Sequence, residues 1–77
     1  MGLNKLETGS LVQCRFYNTP EERFYGDYFL ATVMQVLRPM KDYSKPVLVK
    51  RENGYGEIWL HRKEIKHIVK EKDTGYY

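Results

Sequence analysis

Val47-Leu48-Val49-Lys50-Arg51-Glu52-Asn53-Gly54-Tyr55-Gly56-Glu57-Ile58-Trp59-Leu60 decides the fold of this chain. Asn53-Gly54 predicts a two-residue hairpin turn, because a turn that follows the twist of its strands needs positive φ at both positions. Glu52 then faces Tyr55, and the register runs outward through Lys50–Glu57, Val49–Ile58, Leu48–Trp59 and Val47–Leu60. One face collects Val47, Val49, Ile58 and Leu60. The other carries Leu48 and Trp59 beside the Lys50–Glu57 charge pair, all favourable cross-strand neighbours. Propensity, alternation and turn chemistry agree on a hairpin, but nothing in it announces a reaction.

Upstream, Arg38 to Pro46 reads as a loop bracketed by Pro39 and Pro46 and carrying Lys41, Asp42, Tyr43 and Lys45. Tyr28 to Leu37 is the longest strand-like run. Phe29, Ala31 and Val33 fall on one face and Leu30, Thr32 and Met34 on the other, which predicts a strongly bent strand shared between two parts of a barrel. Asn18 to Gly26 reads as a loop, with Glu21, Glu22 and Arg23 solvated. Leu11 to Tyr17 alternates, setting Val12, Cys14 and Phe16 against Gln13 and Arg15. The residues before it form a polar lead-in that ends in the turn Glu7-Thr8-Gly9-Ser10.

Downstream, Ile65, Ile68 and Val69 keep helical spacing, yet Ile65, His67 and Val69 also fit a strand. No usual N-cap residue precedes them. The preferred reading is a helical turn near Arg62-Lys63-Glu64 and a closing strand from Lys66 to Val69. Residues 70–77 form a charged tail, expected to be flexible like residues 1–7, so one domain spans 1–77 with its ordered part at about 8–69.

Seventy-seven residues bury only about 60% of their unfolded surface, which leaves little room for a deep cleft. Thirteen basic against ten acidic residues give a net charge of +3, a bias that permits nucleic acid without demanding it. Cys14 has no partner for an internal disulfide and is expected to be a small buried thiol. The expectation is a soluble, intracellular, cytoplasmic protein with no signal peptide and no apolar run long enough to span a bilayer. Met1-Gly2 is no myristoylation signal, because Leu6 stands where that motif wants Ser or Thr.

Five short antiparallel strands in so few residues predict an all-β barrel. Gly26-Asp27-Tyr28-Phe29-Leu30-Ala31-Thr32-Val33 resembles the Gly-x-aromatic-aromatic-x-Ala-x-Val run of Tudor and agenet domains. Leu11-Val12-Gln13-Cys14 is similar to their first strand, and Glu57 to Ile68 to their closing part. The resemblance implies a small five-stranded SH3-like barrel, a fold shared with KOW domains and with small prokaryotic or phage proteins. Loops longer than usual depart from the family pattern. In Tudor-type readers, loop aromatics cage a methylated cation. Carried over, the resemblance marks Tyr28 as a cage aromatic and Tyr55 at the same end of the barrel, with Tyr25 and Asp27 as looser candidates. Against this, tyrosines of tiny β-proteins mostly cover the core with their rings and leave the hydroxyl wet.

The basic residues concentrate in the second half. Lys50, Arg51, Arg62, Lys63 and Lys66, mixed with Tyr55 and Tyr43, suit a surface that pairs phosphates while bases stack on rings. An ordinary solvated face, with Glu52, Glu57, Glu64 and Glu71 diluting the charge, is the competing reading. His61 and His67 would sit roughly 20 Å apart on a straight strand, so no zinc site is expected. Gly54-Tyr55-Gly56 lacks the helix that a phosphate-cradling loop requires. No nucleophile has an identifiable base. The expectation is a binding module rather than an enzyme, without cofactor. Its partner would be nucleic acid or, in the alternative, a protein: a methylated tail, or a host protein bound by a small phage-type adaptor.

Overall fold

The alternation is realised as five antiparallel strands in one sheet, in a computed structural model that describes residues 6–70. The strands are β1 (Leu11–Asn18), β2 (Arg23–Val36), β3 (Val47–Arg51), β4 (Glu57–Leu60) and β5 (Ile65–Lys70). They run in the order β4-β3-β2-β1-β5. Helical structure among the described residues is limited to two single 3-10 turns, Met40–Asp42 and Arg62–Glu64. No helix among these residues is long and apolar enough to cross a membrane.

The β3–β4 hairpin keeps the expected register, Val47↔Leu60, Leu48↔Trp59, Val49↔Ile58 and Lys50↔Glu57. Its turn differs from the expected one. Gly54 has φ 85° but Asn53 is not in the positive-φ region. Arg51 N–H donates to the Gly56 carbonyl at 3.0 Å, which leaves Glu52–Tyr55 as the loop. Glu52 turns its N–H to the Leu30 carbonyl of β2, also at 3.0 Å. Adding one loop residue to each side preserves the pairing parity, so the register survives a longer turn.

The loop expected over Asn18–Gly26 is much shorter. Tyr17↔Phe24 and Asn18↔Arg23 pair, and the turn between them uses Glu22 at φ 51°. Gly26 does not end a loop; it sits in a bulge inside β2. The register passes from Cys14↔Phe29 to Phe16↔Tyr25, so Arg15 alone faces Gly26, Asp27 and Tyr28. Gly26 has φ 79° with open space where a Cβ would stand, so glycine serves the backbone conformation rather than a close contact. A second irregularity lies between Val33 and Gln35. These two breaks allow one long strand to pair with β1 along its first part and with β3 along its end.

The strands place Val12, Cys14, Ala31, Val33, Val47, Val49, Leu60 and Ile65 in one buried cluster. Phe16, Phe29, Val36, Met40, Ile58 and Ile68 pack around it. Leu6, expected in a loose lead-in, is 0% exposed within the same cluster. Burying such a side chain contributes about 1.5–3 kcal/mol. The turn after it has the expected place, with Ser10 N–H donating to the Glu7 carbonyl at 3.0 Å. Gly9 and Ser10 then bond to the Val33 backbone, which ties the lead-in to β2.

The Arg62–Glu64 turn and the following strand also stand where the sequence puts them. Its cap was not foreseen. His61 Nδ1 accepts from Lys63 N–H at 3.0 Å, while Glu64 Oε1 accepts from His61 N–H at 2.6 Å. This is a reciprocal capping box. Glu64, solvated in the competing reading of the basic face, is 3% exposed. Its Oε2 accepts from Tyr17 N–H at 3.2 Å, joining the end of β1 to the turn before β5.

Candidate nucleic-acid interface

A cation on a curved sheet faces either a carboxylate, water or a ring. Among the described residues rings outnumber carboxylates. Arg15 lies over Tyr28 at 5.3 Å, Arg51 over Tyr55 at 5.6 Å, Lys63 over Tyr17 at 5.1 Å and Lys66 over Phe24 at 3.5 Å. Among the described residues a single ion pair forms, Arg23 with Glu21.

The β1–β2 tip gathers the densest group. Tyr17 and Phe24 oppose each other across the hairpin, with ring centroids 4.7 Å apart, and His61 lies 6.3 Å from Tyr17. Lys63 reaches this pair from the 3-10 turn and Lys66 from β5. The Glu64–Tyr17 hydrogen bond holds the two segments together. Tyr17 and Phe24 were absent from the expected site residues, because the segment that pairs them read as a loop. Their equal distance from the tip could have marked them as partners.

At the bulge, Tyr28 is 52% exposed and Arg15 covers its ring. Arg15 Nε donates to the Gly26 carbonyl at 3.0 Å, which fixes the guanidinium over the bulge. Asp27 is exposed beside it. Tyr25 stacks on Phe16 at 5.8 Å, and Phe16 lies tilted against Phe29 at 5.0 Å. Tyr25 therefore extends the core outward.

At the β3–β4 tip, Tyr55 is 72% exposed. Arg51 Nη2 donates to the Tyr55 carbonyl at 2.6 Å. Lys50 is exposed on the outer face opposite Glu57. Thr32, beside it on β2, donates through its hydroxyl to Glu52 at 3.1 Å.

The expected phosphate-binding residues thus occupy three settings. Lys63 and Lys66 share the Tyr17–Phe24 tip. Lys50, Arg51 and Tyr55 share the other hairpin. Arg62 lines a pocket with Arg38, Pro39, Met40 and Lys41, while Tyr43 is exposed just after the Met40–Asp42 turn. Of the expected cage residues, Tyr28 and Tyr55 each already hold an arginine of their own chain.

Burial holds the His61 imidazole below its ordinary pKa, and the charges of Arg62, Lys63 and Lys45 push the same way against the opposing pull of Glu64. A neutral ring keeps Nδ1 free to cap the turn. Cys14 is buried as expected; desolvation, with the Glu64 charge adding, pushes its thiol up to about 12. No cluster of metal-ligating side chains occurs among the described residues. The chain matches no protein-family model, and neither a curated protein nor a solved structure is significantly similar to it.

Proposed function

We propose that this protein is a non-catalytic binding module for single-stranded nucleic acid. The observation that supports this most is the pairing of surface cations with rings rather than with carboxylates. Such cations keep their charge available for phosphates, and each adjacent ring offers a face on which any base can stack. Two hairpin tips and the bulge supply the stacking positions, and Lys63, Lys66, Arg15 and Arg51 the phosphate contacts. We propose further that the sheet is an SH3-type barrel of the Tudor/KOW kind. The ladder order and the 3-10 turn ahead of the closing strand support that assignment.

A methylated-tail reader is the weaker reading, since a cage closes several rings around one foreign cation and here Tyr28 and Tyr55 each already face an arginine of their own chain. A protein-binding adaptor draws support from Leu30, Met34 and Trp59, all exposed. Fluorescence anisotropy with single- and double-stranded oligonucleotides at two salt concentrations separates these readings. Binding should weaken steeply with salt, and Lys63→Gln or Lys66→Gln should each lower the salt slope by about one. Tyr55→Ala should cost about 1–3 kcal/mol of binding where a base stacks. Absence of binding at low salt rejects the nucleic-acid reading and leaves the protein-binding one.

A further inference from the structure

The loop after β2 and the turn before β5 frame an open pocket of about 550 Å³, lined by Arg38, Pro39, Met40, Lys41 and Arg62. That volume falls within the range of small-molecule sites. Three of its five lining residues are cations, and no carboxylate lines it among the described residues. Arg38 is held in place, because its Nη2 donates to the backbone carbonyl of the buried Leu6 at 2.6 Å. Met40 packs against the core, so the apolar floor that it forms with Pro39 is also fixed. Beyond the lining the charge is mixed, since Lys45 and Lys63 act with Arg62 on His61 and Glu64 acts against them.

We infer that this pocket binds a nucleotide, its phosphate between Arg38, Lys41 and Arg62 and its base against Pro39 and Met40. A bare anion would satisfy the cations and leave the floor wet. A wholly apolar ligand would cover the floor and strip water from three cations, which is costly. A nucleotide answers both, because guanidinium groups grip phosphate through paired N–H donors and a thioether packs well on an aromatic ring. The phosphate can come from a free nucleoside monophosphate or from the 5′-terminal nucleotide of a strand. The inference goes beyond the strand-binding reading and shares only Arg62 with its expected residues.

Methyl-labelled methionine NMR on the full chain tests it, with Met34 on the outer face of β2 as an internal control. Uridine monophosphate should shift Met40 and not Met34, uridine should do so far less, and inorganic phosphate should compete. Lys41→Gln and Arg62→Gln should each weaken the effect about tenfold, as expected for a lost charged hydrogen bond, without lowering the melting temperature. Arg38 is left intact because it also anchors Leu6. In anisotropy, a 5′-phosphorylated oligonucleotide binding about tenfold more tightly than its 5′-hydroxyl form identifies the strand end as the source. Equal binding of the two forms, with Met40 still shifted by the monophosphate, identifies the free nucleotide. Failure of the 5′-hydroxyl strand to bind at all would sink the strand-binding reading but leave the pocket standing if the monophosphate shifts Met40. The inference is overturned if neither phosphate-bearing probe shifts Met40, if uridine shifts it equally, or if both variants bind as the unaltered protein does.

Discussion

The two hairpin tips present the same chemistry, a cation over a ring, built in opposite ways. At the β3–β4 tip, Arg51 and Tyr55 are four positions apart, and bonds among neighbours close the loop, with Glu52 alone tied to Leu30 and Thr32 of β2. At the β1–β2 tip, the rings come from Tyr17 and Phe24 and the cations from Lys63 and Lys66. Glu64 reaches Tyr17 across 47 positions of chain. The cation and ring of the first tip come from one hairpin, whereas the composite tip exists only while β5 and its turn are docked. The proposed recognition surface is therefore one part hairpin and one part tertiary structure.

The severest way to break the comparison is Val49→Asp, in the hairpin that looks self-contained. Val49 is fully buried between Val33 and Ile58. Burying a carboxylate there should cost several kcal/mol, against a total stability of roughly 4–11 kcal/mol for a chain of this size. Both tips should be lost together in a thermal melt followed by circular dichroism. A cooperative, native-like melt would falsify the assignment of this face to the core.

Glu64→Ala should separate the tips. It leaves the N–H groups of His61 and Tyr17 without their acceptor, at a cost of about 2–4 kcal/mol. Native-state hydrogen exchange should show faster exchange at Tyr17 and in β5, with β3 and β4 still protected. Uniform loss of protection would mean that the two regions open as one unit. Gly54→Ala should act in the reverse sense. Gly54 has open space around it but a φ of 85°, so the change should cost about 1 kcal/mol of backbone strain and perturb only the Arg51–Tyr55 pair.

The smallest effect should be the pH dependence carried by His61. Its folded pKa lies below its unfolded value, so the folded state disfavours the proton. The stability it contributes is complete above the unfolded value of about 6.5. It declines as pH falls through that value toward the folded pKa, because the unfolded chain then binds more protons. His61→Asn, which retains a side-chain acceptor for the turn, should flatten this part of the stability–pH curve. An unchanged slope in urea titrations would place the dependence on another group.

The same contrast explains what could be read from the sequence. The β3–β4 register was legible because alternation over nine strand positions and the turn between them point one way, and parity protects the result from an error in loop length. The place of the Arg62–Glu64 turn was legible too. Its cap was not, because histidine is outside the usual capping set and only Glu64, three positions on, hinted at a capping box. Gly26 misled because a glycine within a strand marks either an end or a bulge, and composition does not distinguish them. Leu6 is one apolar residue among polar ones, so no periodicity could reveal its burial. Lys50, Arg51 and Tyr55 share one hairpin because they are near neighbours in sequence. Their separation from Lys63 and Lys66 depends on how the chain returns after Leu60, which local pattern does not encode.

Cys14 turns the core into a clock. Only the thiolate reacts with alkylating reagents, and a thiol pushed up to about 12 is almost entirely protonated at pH 8, whereas an exposed one with a value near 8.5 is about one-quarter ionised. Alkylation should therefore wait for an opening that releases β1 from between β2 and β5. Where reclosing outpaces the reagent, the labelling rate divided by that of the unfolded chain gives the equilibrium constant of that opening, and its logarithm the free energy. A single intrinsic thiol thus allows docking of β5, and any ligand that secures it, to be followed without attaching a probe.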